Sequence, residues 1–277
     1  MAKRKSRIQL RSGAELDVWR EAGSIAADIL RQCSEMVRPG ITTGEIDAAA
    51  DQFIKDRGCV SAFLGYRGFP GNICISMNEE VVHGIGGELA MKEGDIVKID
   101  VGIQTPEGWI GDNAKTIAVG KIDDEVEQLL IKTEESLHQA ISHAREGEYL
   151  STLCASVEEY VATFGFTVVK QFVGHGVGRK LHEEPQVPNY WDANEMKMRR
   201  FANPRLKEGM VLAIEPMVNA GGDEVLILSD DWTVITADRK MSSHFEHTVL
   251  VTSGEPEILT PRPRSYESGV AGAASAA

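Results

Sequence analysis

Two carboxylates stand at matching places in two copies of one sequence pattern. The stretch Lys92-Glu-Gly-Asp-Ile-Val-Lys-Ile-Asp100 resembles Lys207-Glu-Gly-Met-Val-Leu-Ala-Ile-Glu215, and His83-Gly-Ile-Gly86 resembles His175-Gly-Val-Gly178. Each copy runs in the order helix, His-Gly-x-Gly, Lys-Glu-Gly, strand and carboxylate. The repeat predicts two similar halves that face each other across a pseudo-twofold axis, with both acids close to that axis.

Three more side chains are expected to join this pair. Asp112 follows Asp100 on a returning strand, and a hairpin with a short turn brings the two side chains close together across the strands. Glu246 opens a late strand, and His175 lies between two glycines that allow close backbone approach. Taken singly, each acid is typical of a turn or a solvated surface, so the repeat is what favours a shared site.

Four carboxylates that converge in an apolar sheet would repel one another, and their pKa values would rise. Divalent metal ions remove this conflict. Four carboxylates and one imidazole are too many ligands for one tetrahedral zinc, and they suit two ions that share a water molecule. Ligation by oxygens and a single histidine fits Mn, Fe, Co or Zn. We therefore predict a two-metal centre.

The elements that must position these residues alternate between helical and strand-like patterns. Helices are predicted over 15–37, 42–55, 123–145 and 152–164, and the second opens with a capping box from Thr42 to Glu45. Strands are predicted over 73–76, 94–101, 109–119, 167–173, 210–214, 225–228, 232–236 and 246–251. Because hairpins rather than crossover helices join the strands, we expect an α+β fold around a largely antiparallel sheet.

The length of 277 residues allows two domains, but the repeat favours one domain over 1–264, with half-repeats at about 15–120 and 121–252. Residues 265–277 are small and polar, and we expect them to be disordered. The net charge of −13 argues against DNA as a partner. The basic start, Lys3 to Arg7, has two interpretations. It would contact an RNA surface such as a ribosome, or, more simply, it would form a solvated and frayed terminus.

Localisation is predicted from sequence patterns that are absent. The sequence has no long apolar run that would span a membrane and no apolar stretch behind the basic start that would form a secretory signal. Its four cysteines are scattered, which is typical of reduced thiols. We expect a cytoplasmic protein.

At these residues the sequence resembles the type I methionine aminopeptidases, which are pita-bread metallopeptidases. The resemblance runs in family order over about residues 8–252. The motifs that carry it are Asn78-Glu-Glu-Val-Val-His83-Gly84, Ile99-Asp100-Val101, Gly111-Asp112, Gly174-His175-Gly176-Val-Gly178, His182-Glu-Glu-Pro-Gln-Val187, Ile214-Glu215-Pro216-Met217 and Phe245-Glu246-His247-Thr248.

The resemblance implies the pita-bread fold and a role for each matching residue. The five metal ligands would be Asp100, Asp112, His175, Glu215 and Glu246. A water or hydroxide that bridges the two metal ions would attack the carbonyl after an N-terminal methionine. Glu215 would also shuttle the proton of that water, His182 would steady the scissile carbonyl, and His83 would contact the substrate just past the scissile bond.

The resemblance also places an apolar pocket for the methionine side chain. Its matching positions are Phe63, Tyr66, Phe69, Cys74, Leu181 and Trp232. Two of them depart from the pattern of bacterial members, because Phe63 stands where Cys is common and Leu181 where Phe is common. A stretch around Trp191 to Pro204 is interpreted as a surface loop.

The predicted function is removal of the initiator methionine from nascent chains with a small second residue, by a monomer. One alternative is a prolidase or Xaa-Pro aminopeptidase of the same fold, which usually carries an additional N-terminal domain. A second is a non-catalytic pita-bread module that binds protein or RNA, and such relatives typically lack metal ligands. A third is a structural α+β protein with coincidental acids, which the order of the motifs disfavours.

Overall fold

A computed structural model describes residues 8–266 of the protein. The basic start from Lys3 to Arg7 and residues 267–277 lie outside the described residues, so the predictions for them are not addressed by the fold.

The first half of the chain places two helices before its main strands. Its elements are α1 (Ala14–Glu35), α2 (Thr43–Asp56), β1 (Val60–Ser61), β2 (Cys74–Met77), β3 (Glu80–Val82), β4 (Ile96–Gln104) and β5 (Ile110–Ala118). The second half again begins with two helices. Its elements are α3 (Asp124–Ser142), α4 (Leu150–Ala162), β6 (Thr167–Val168), β7 (Gly174–Gly176), β8 (Glu183–Val187), α5 (Ala193–Arg199), β9 (Val211–Ile214), β10 (Met217–Asn219), β11 (Val225–Ile227), β12 (Val234–Thr236), β13 (Ser242–His244), β14 (His247–Leu250) and β15 (Glu257–Ile258).

Helix α1 packs on β4 and β5 through a stripe of apolar residues at helical spacing. Trp19 is fully buried, and its indole N–H donates to the carbonyl of Ile110 at 2.6 Å. The helix comes so close to β5 that a Cβ atom at Gly111 would lie 2.4 Å from the carbonyl oxygen of Ala22. Glycine is therefore required directly before Asp112. The close packing of α1 against β5 fixes the position of the strand that carries this acid.

Helix α2 begins at the predicted capping box. The Thr42 hydroxyl accepts from the Glu45 N–H at 3.1 Å, and the Glu45 carboxylate accepts from the Thr42 N–H at 2.8 Å. Two backbone donors that the helix itself leaves unpaired are thus satisfied. The prediction of a helix start at this point is confirmed.

Two antiparallel strand pairs form the centre of the molecule, one in each half. In the first half β4 pairs with β5, so that Gly102 lies opposite Asp112. In the second half β9 pairs with β14, so that Ile214 lies opposite His247. All strand pairs within the described sheets are antiparallel, and the bridge between Arg145 and Thr252 is parallel. The largely antiparallel arrangement agrees with the prediction.

The apolar core forms two large clusters, and the first of them also takes in Val177 and Val211 of the second half. One cluster includes Trp19 and Ile46 beneath α1 and α2, and a second includes Leu137 and Leu153 beneath α3 and α4. A smaller cluster joins Val82 of β3 to residues of β10, β11 and β12. The two halves therefore share apolar contacts along the seam between them.

Two local predictions differ from the structure. The stretch 191–204 contains the helix α5, so the interpretation as a loop was wrong. Asp192 caps this helix by accepting from the N–H groups of Asn194 and Glu195, and Met196 is buried. The strand predicted over 167–173 ends at Val168.

Ser265, which begins the predicted tail, belongs to the packed structure together with Tyr266. Both backbone N–H groups donate to the Glu134 carboxylate, at distances of 2.7 to 3.0 Å.

Candidate active site

The five predicted metal ligands converge at the seam between the halves. One oxygen each of Asp112 and Glu246 and one ring nitrogen of His175 lie within 4.8 Å of one another. His175 Nε2 lies 3.5 Å from Oε1 of Glu215 and 3.9 Å from Oδ2 of Asp112. Asp100 lines the same cleft. The structure thus brings together residues that are up to 146 positions apart in the sequence, from Asp100 to Glu246.

The second half is fastened to the first next to these acids. The Glu246 N–H donates to the carbonyl of Ala114 at 2.8 Å, and the Thr248 hydroxyl donates to the carbonyl of Asp112 at 2.7 Å. Both bonds join β5 to the segment that starts β14. The distance between Asp112 and Glu246 is therefore set by backbone contacts rather than by flexible side chains.

The glycines around His175 serve the close approach that the sequence predicted. A Cβ atom at Gly174 would lie 2.4 Å from the carbonyl oxygen of Ala213, and one at Gly176 would lie 2.2 Å from that of Glu184. His175 Nδ1 lies 3.0 Å from the carbonyl oxygen of Gly176, which can only accept, so Nδ1 carries the proton. Nε2 is left with a free lone pair that faces the acids, as a metal ligand requires.

The electrostatics of the site are those of crowded acids removed from water. Burial raises the pKa of Asp112 to about 7. Burial, reinforced by the charges of neighbouring acids, raises the pKa values of Asp100, Glu215 and Glu246 well above their usual range. Burial lowers the pKa of His175 to about 3, which keeps its imidazole neutral.

Buried oxygens without partners show what such a site would accept. Among residues 8–266, Asp100 Oδ1, Asp112 Oδ1 and Glu246 Oε1 have no hydrogen-bond partner. Leaving buried carboxylate oxygens unpaired is unfavourable, and a divalent cation would satisfy them. Carboxylate oxygens with one neutral imidazole form a donor set suited to Mn, Fe, Co or Zn, so the residues fit the predicted metals.

A cleft of about 240 Å³ opens above the acids. Every predicted substrate-contacting residue lines it, namely Phe63, Tyr66, Phe69, Cys74, His83, Leu181, His182 and Trp232. Phe63, Phe69, Cys74 and Leu181 are buried, and Trp232 packs edge-on against Phe69 at 5.1 Å between ring centroids. One wall of the cleft is therefore apolar, while its floor is acidic.

Two histidines flank the acids. His182 lies at the exposed mouth, with its ring centroid 4.2 Å from that of His175, and its Nδ1 is 2.9 Å from the Tyr66 hydroxyl. His83 has a positive φ of 61° and stands edge-on to Phe172 at 5.4 Å between ring centroids. Burial lowers the pKa of His83 to about 4, so its ring is neutral near pH 7.

Six further residues line the cleft that the sequence did not single out as site residues. They are Arg67, Val82, Phe172, Val173, Met217 and His244. Met217 is two residues after Glu215, and His244 is two residues before Glu246. In an extended segment, residues two apart point to the same side, so the alternation could have identified both. No comparable local pattern indicates Arg67 or Phe172.

Known proteins with similar sequences identify the family of this chain. The sequence profile of metallopeptidase family M24 matches residues 17–253, and the chain belongs to that family. Its relatives there include methionine aminopeptidase 1 of Bacillus subtilis, which is 48% identical over 246 residues, 89% of this chain and 96% of the relative. The methionine aminopeptidase of Escherichia coli K12 is 42% identical and is covered to 94% of its length.

Solved structures agree with the sequence relatives. The methionine aminopeptidase of Thermotoga maritima superposes with a TM-score of 0.87 at 38% identity, over 92% of this chain and all of that chain. A prolidase of Pyrococcus horikoshii has the same fold, with a TM-score of 0.72 at 23% identity, but this chain covers only 64% of it. The predicted pita-bread fold is confirmed, and these likenesses do not favour the prolidase alternative.

No helix within residues 8–266 is both long enough and apolar enough to span a membrane.

Proposed function

We propose that this protein is a metal-dependent aminopeptidase that removes an N-terminal methionine from proteins and peptides. The proposal rests on one observation. Five side chains of the types that bind metals, contributed by both halves, lie together at the floor of an apolar cleft, and two neutral histidines flank them. The relatives named methionine aminopeptidase, which match almost the whole chain, support the same activity.

Asp100, Asp112, His175, Glu215 and Glu246 would hold two divalent ions. When bound, such ions polarise the scissile carbonyl and make a water molecule more acidic. The chemistry of the donor set does not select one metal, so we include Mn, Fe, Co and Zn.

The remaining steps belong to side chains of this chain. Glu215 accepts the proton of the attacking water at a carboxylate oxygen and passes it to the nitrogen of the departing amine. With the Tyr66 hydroxyl, 2.9 Å away, as the donor to Nδ1 of His182, Nε2–H would be left as the donor to the carbonyl oxygen as negative charge develops there. His83 contacts the substrate past the scissile bond.

Specificity would come from the walls of the cleft. Phe63, Phe69, Cys74, Leu181 and Trp232 offer an apolar surface with one thiol, which suits the thioether of methionine. On the other side, His83 stands against Phe172 and Met217 is fully buried, so little room is left for the next side chain. We therefore propose that the second residue of the substrate must be small.

The direct test is release of free methionine from the peptide Met-Ala-Ser by protein reconstituted with Mn²⁺, Co²⁺, Fe²⁺ or Zn²⁺. We expect release with at least one metal and loss of release after chelation. The matched substrates are Met-Leu-Ser, which should be poor, and Ala-Pro dipeptide, which should be inert. Cleavage of Ala-Pro without cleavage of Met-Ala-Ser would overturn the proposal in favour of a prolidase.

The proposal extends to the setting of the reaction. We propose that the protein acts as a monomer on nascent chains in the cytoplasm. Sedimentation of the purified protein tests the monomer. Co-sedimentation with ribosomes, with and without residues 1–7, tests contact through the basic start.

A further inference from the structure

His244 is a buried histidine of the cleft to which the mechanism above gives no task. It is 1% exposed, and among residues 8–266 its Nε2 has no hydrogen-bond partner. Oε2 of Glu215 lies 3.9 Å from this nitrogen. A buried ring nitrogen without a partner is unfavourable, and in native proteins such atoms are uncommon outside functional sites.

The backbone of His244 is held in place from two sides. Its N–H donates to the Thr116 hydroxyl at 2.9 Å, and the same hydroxyl donates to its carbonyl oxygen at 2.8 Å. On the other side β13 pairs with β10, so that His244 lies opposite Met217. The segment is therefore fixed between β5 and β10, and the ring stays in the cleft.

The two oxygens of Glu215 face different imidazoles. Oε1 lies 3.5 Å from Nε2 of His175, and Oε2 lies 3.9 Å from Nε2 of His244. The terminal torsion of a glutamate side chain is soft, so a shift of about 1 Å would bring Oε2 to hydrogen-bonding distance of His244. Because His175 has its proton on Nδ1, it cannot donate to Glu215 from Nε2, and His244 can.

We propose that His244 is a positioning residue for Glu215, with its Nε2–H donating to Oε2 and holding that oxygen toward the substrate. The proposal rests on the proposed function, since it gives Glu215 the task of accepting a proton. A neutral imidazole carries a single N–H, and Nε2 of His244 faces Oε2 of Glu215 with no hydrogen-bond partner within residues 8–266. One donor and one acceptor then satisfy each other, and Glu215 keeps a fixed orientation between two rings.

Three variants separate this role from its alternatives. His244→Gln keeps an N–H donor at a similar reach, His244→Asn keeps a polar side chain that ends short of Glu215, and His244→Leu removes the donor. With Met-Ala-Ser we expect kcat to fall about 10- to 100-fold in the Leu and Asn variants, as for loss of a hydrogen bond to a charged group, and less than about fivefold in the Gln variant. KM should change little, and the bound metal per chain should stay at the wild-type value in all three.

Other results would overturn the proposal. Loss of bound metal in the Leu variant would make His244 a ligand rather than a positioning residue. A changed KM and acceptance of Met-Leu-Ser with unchanged kcat would make it a wall of the cleft. Equal activity of all variants would leave it without a role. If the Leu variant does not fold, as judged by circular dichroism, the Asn and Gln variants still give the comparison.

An NMR measurement that does not depend on catalysis tests whether His244 donates a hydrogen bond to Glu215. In protein loaded with Zn²⁺, which keeps Glu215 ionised, the ¹⁵N shifts of the imidazole assigned through the Gln variant should show the proton on Nε2, and Glu215→Ala should move that resonance. A proton on Nδ1 would contradict the proposal. Failure of wild-type protein to release methionine would instead overturn the proposed function and leave this spectroscopic answer intact.

Discussion

The hydroxyl of Tyr66 lies 2.9 Å from Nδ1 of His182, a contact between residues 116 positions apart, and the two rings stack at 5.3 Å. Tyr66 follows the turn at Gly65, and His182 directly precedes β8. The contact therefore closes the cleft mouth by joining a loop of the first half to a loop of the second.

Removing the Tyr66 hydroxyl should lower catalytic activity while the aromatic ring keeps its place in the cleft. We expect Tyr66→Phe to lower kcat about fivefold, the effect of losing one neutral hydrogen bond of about 1 kcal/mol, with little change in KM. The measurement is steady-state release of methionine from Met-Ala-Ser. In the His182→Ala background the same change should have no further effect, because the bond is already absent. Equal losses in both backgrounds would show that Tyr66 acts independently of His182.

Removing one acid from the floor of the cleft tests the ligand assignment. We expect Asp100→Asn to lower kcat/KM by at least about a thousandfold, since metal ions contribute several kcal/mol to such reactions. Metal bound per chain, measured after dialysis, should fall as well. The control is Asp51→Asn on the surface of α2, where the acid pairs only with Lys55 among the described contacts. Wild-type metal content in the Asp100 variant would contradict its role as a ligand.

The convergence of the five proposed ligands could be predicted from the sequence because its physical basis is local. Asp100 in β4 and Glu215 directly after β9 stand at matching positions of a repeat, and a hairpin brings Asp112 back toward Asp100. The start of α2 was predictable for the same reason, since a capping box needs only Thr42 and Glu45.

What could not be predicted depends on contacts across the seam. The bond between Tyr66 and His182 and the opposition of His244 to Glu215 exist only after the two halves have docked. No spacing in the sequence encodes these distances. Helix α5 was missed for another reason, because its seven residues are too few to show a clear apolar stripe.

The crowded acids give the metal-free protein a defined dependence of stability on pH. Burial raises the pKa of Asp112 from 3.8 to about 7. An acid whose pKa is raised in the folded state binds more protons folded than unfolded. Its favourable contribution is complete below about pH 4 and is lost as the pH rises through about 7.

We therefore expect Asp112→Asn to become relatively more stable than wild type as the pH rises. In metal-free protein, the melting temperature of wild type minus that of the variant should decrease between about pH 5 and pH 8. Added Mn²⁺ should raise the wild-type value at pH 8 more than that of the variant, since ligands that bind the folded state stabilise it. A difference that stays constant with pH would show that Asp112 is not raised in pKa.

The ring of Phe63 forms part of the apolar wall of the cleft and has no space to move toward β4. A Cβ atom at Gly102 would lie 2.3 Å from Cε1 of Phe63, so β4 already fills the space behind the ring. We expect Phe63→Ala to leave a void beside the methionine side chain and to lower kcat/KM for Met-Ala-Ser about 10- to 100-fold, the range for lost apolar contacts in a pocket. Relative to wild type, the variant should gain on Phe-Ala-Ser, whose larger first side chain can enter the void. Phe53→Ala is the matched control, since Phe53 packs against the same core without lining the cleft. An equal loss in both variants would mean that Phe63 acts through stability alone, and an unchanged preference between the two peptides would place the methionine side chain elsewhere in the cleft.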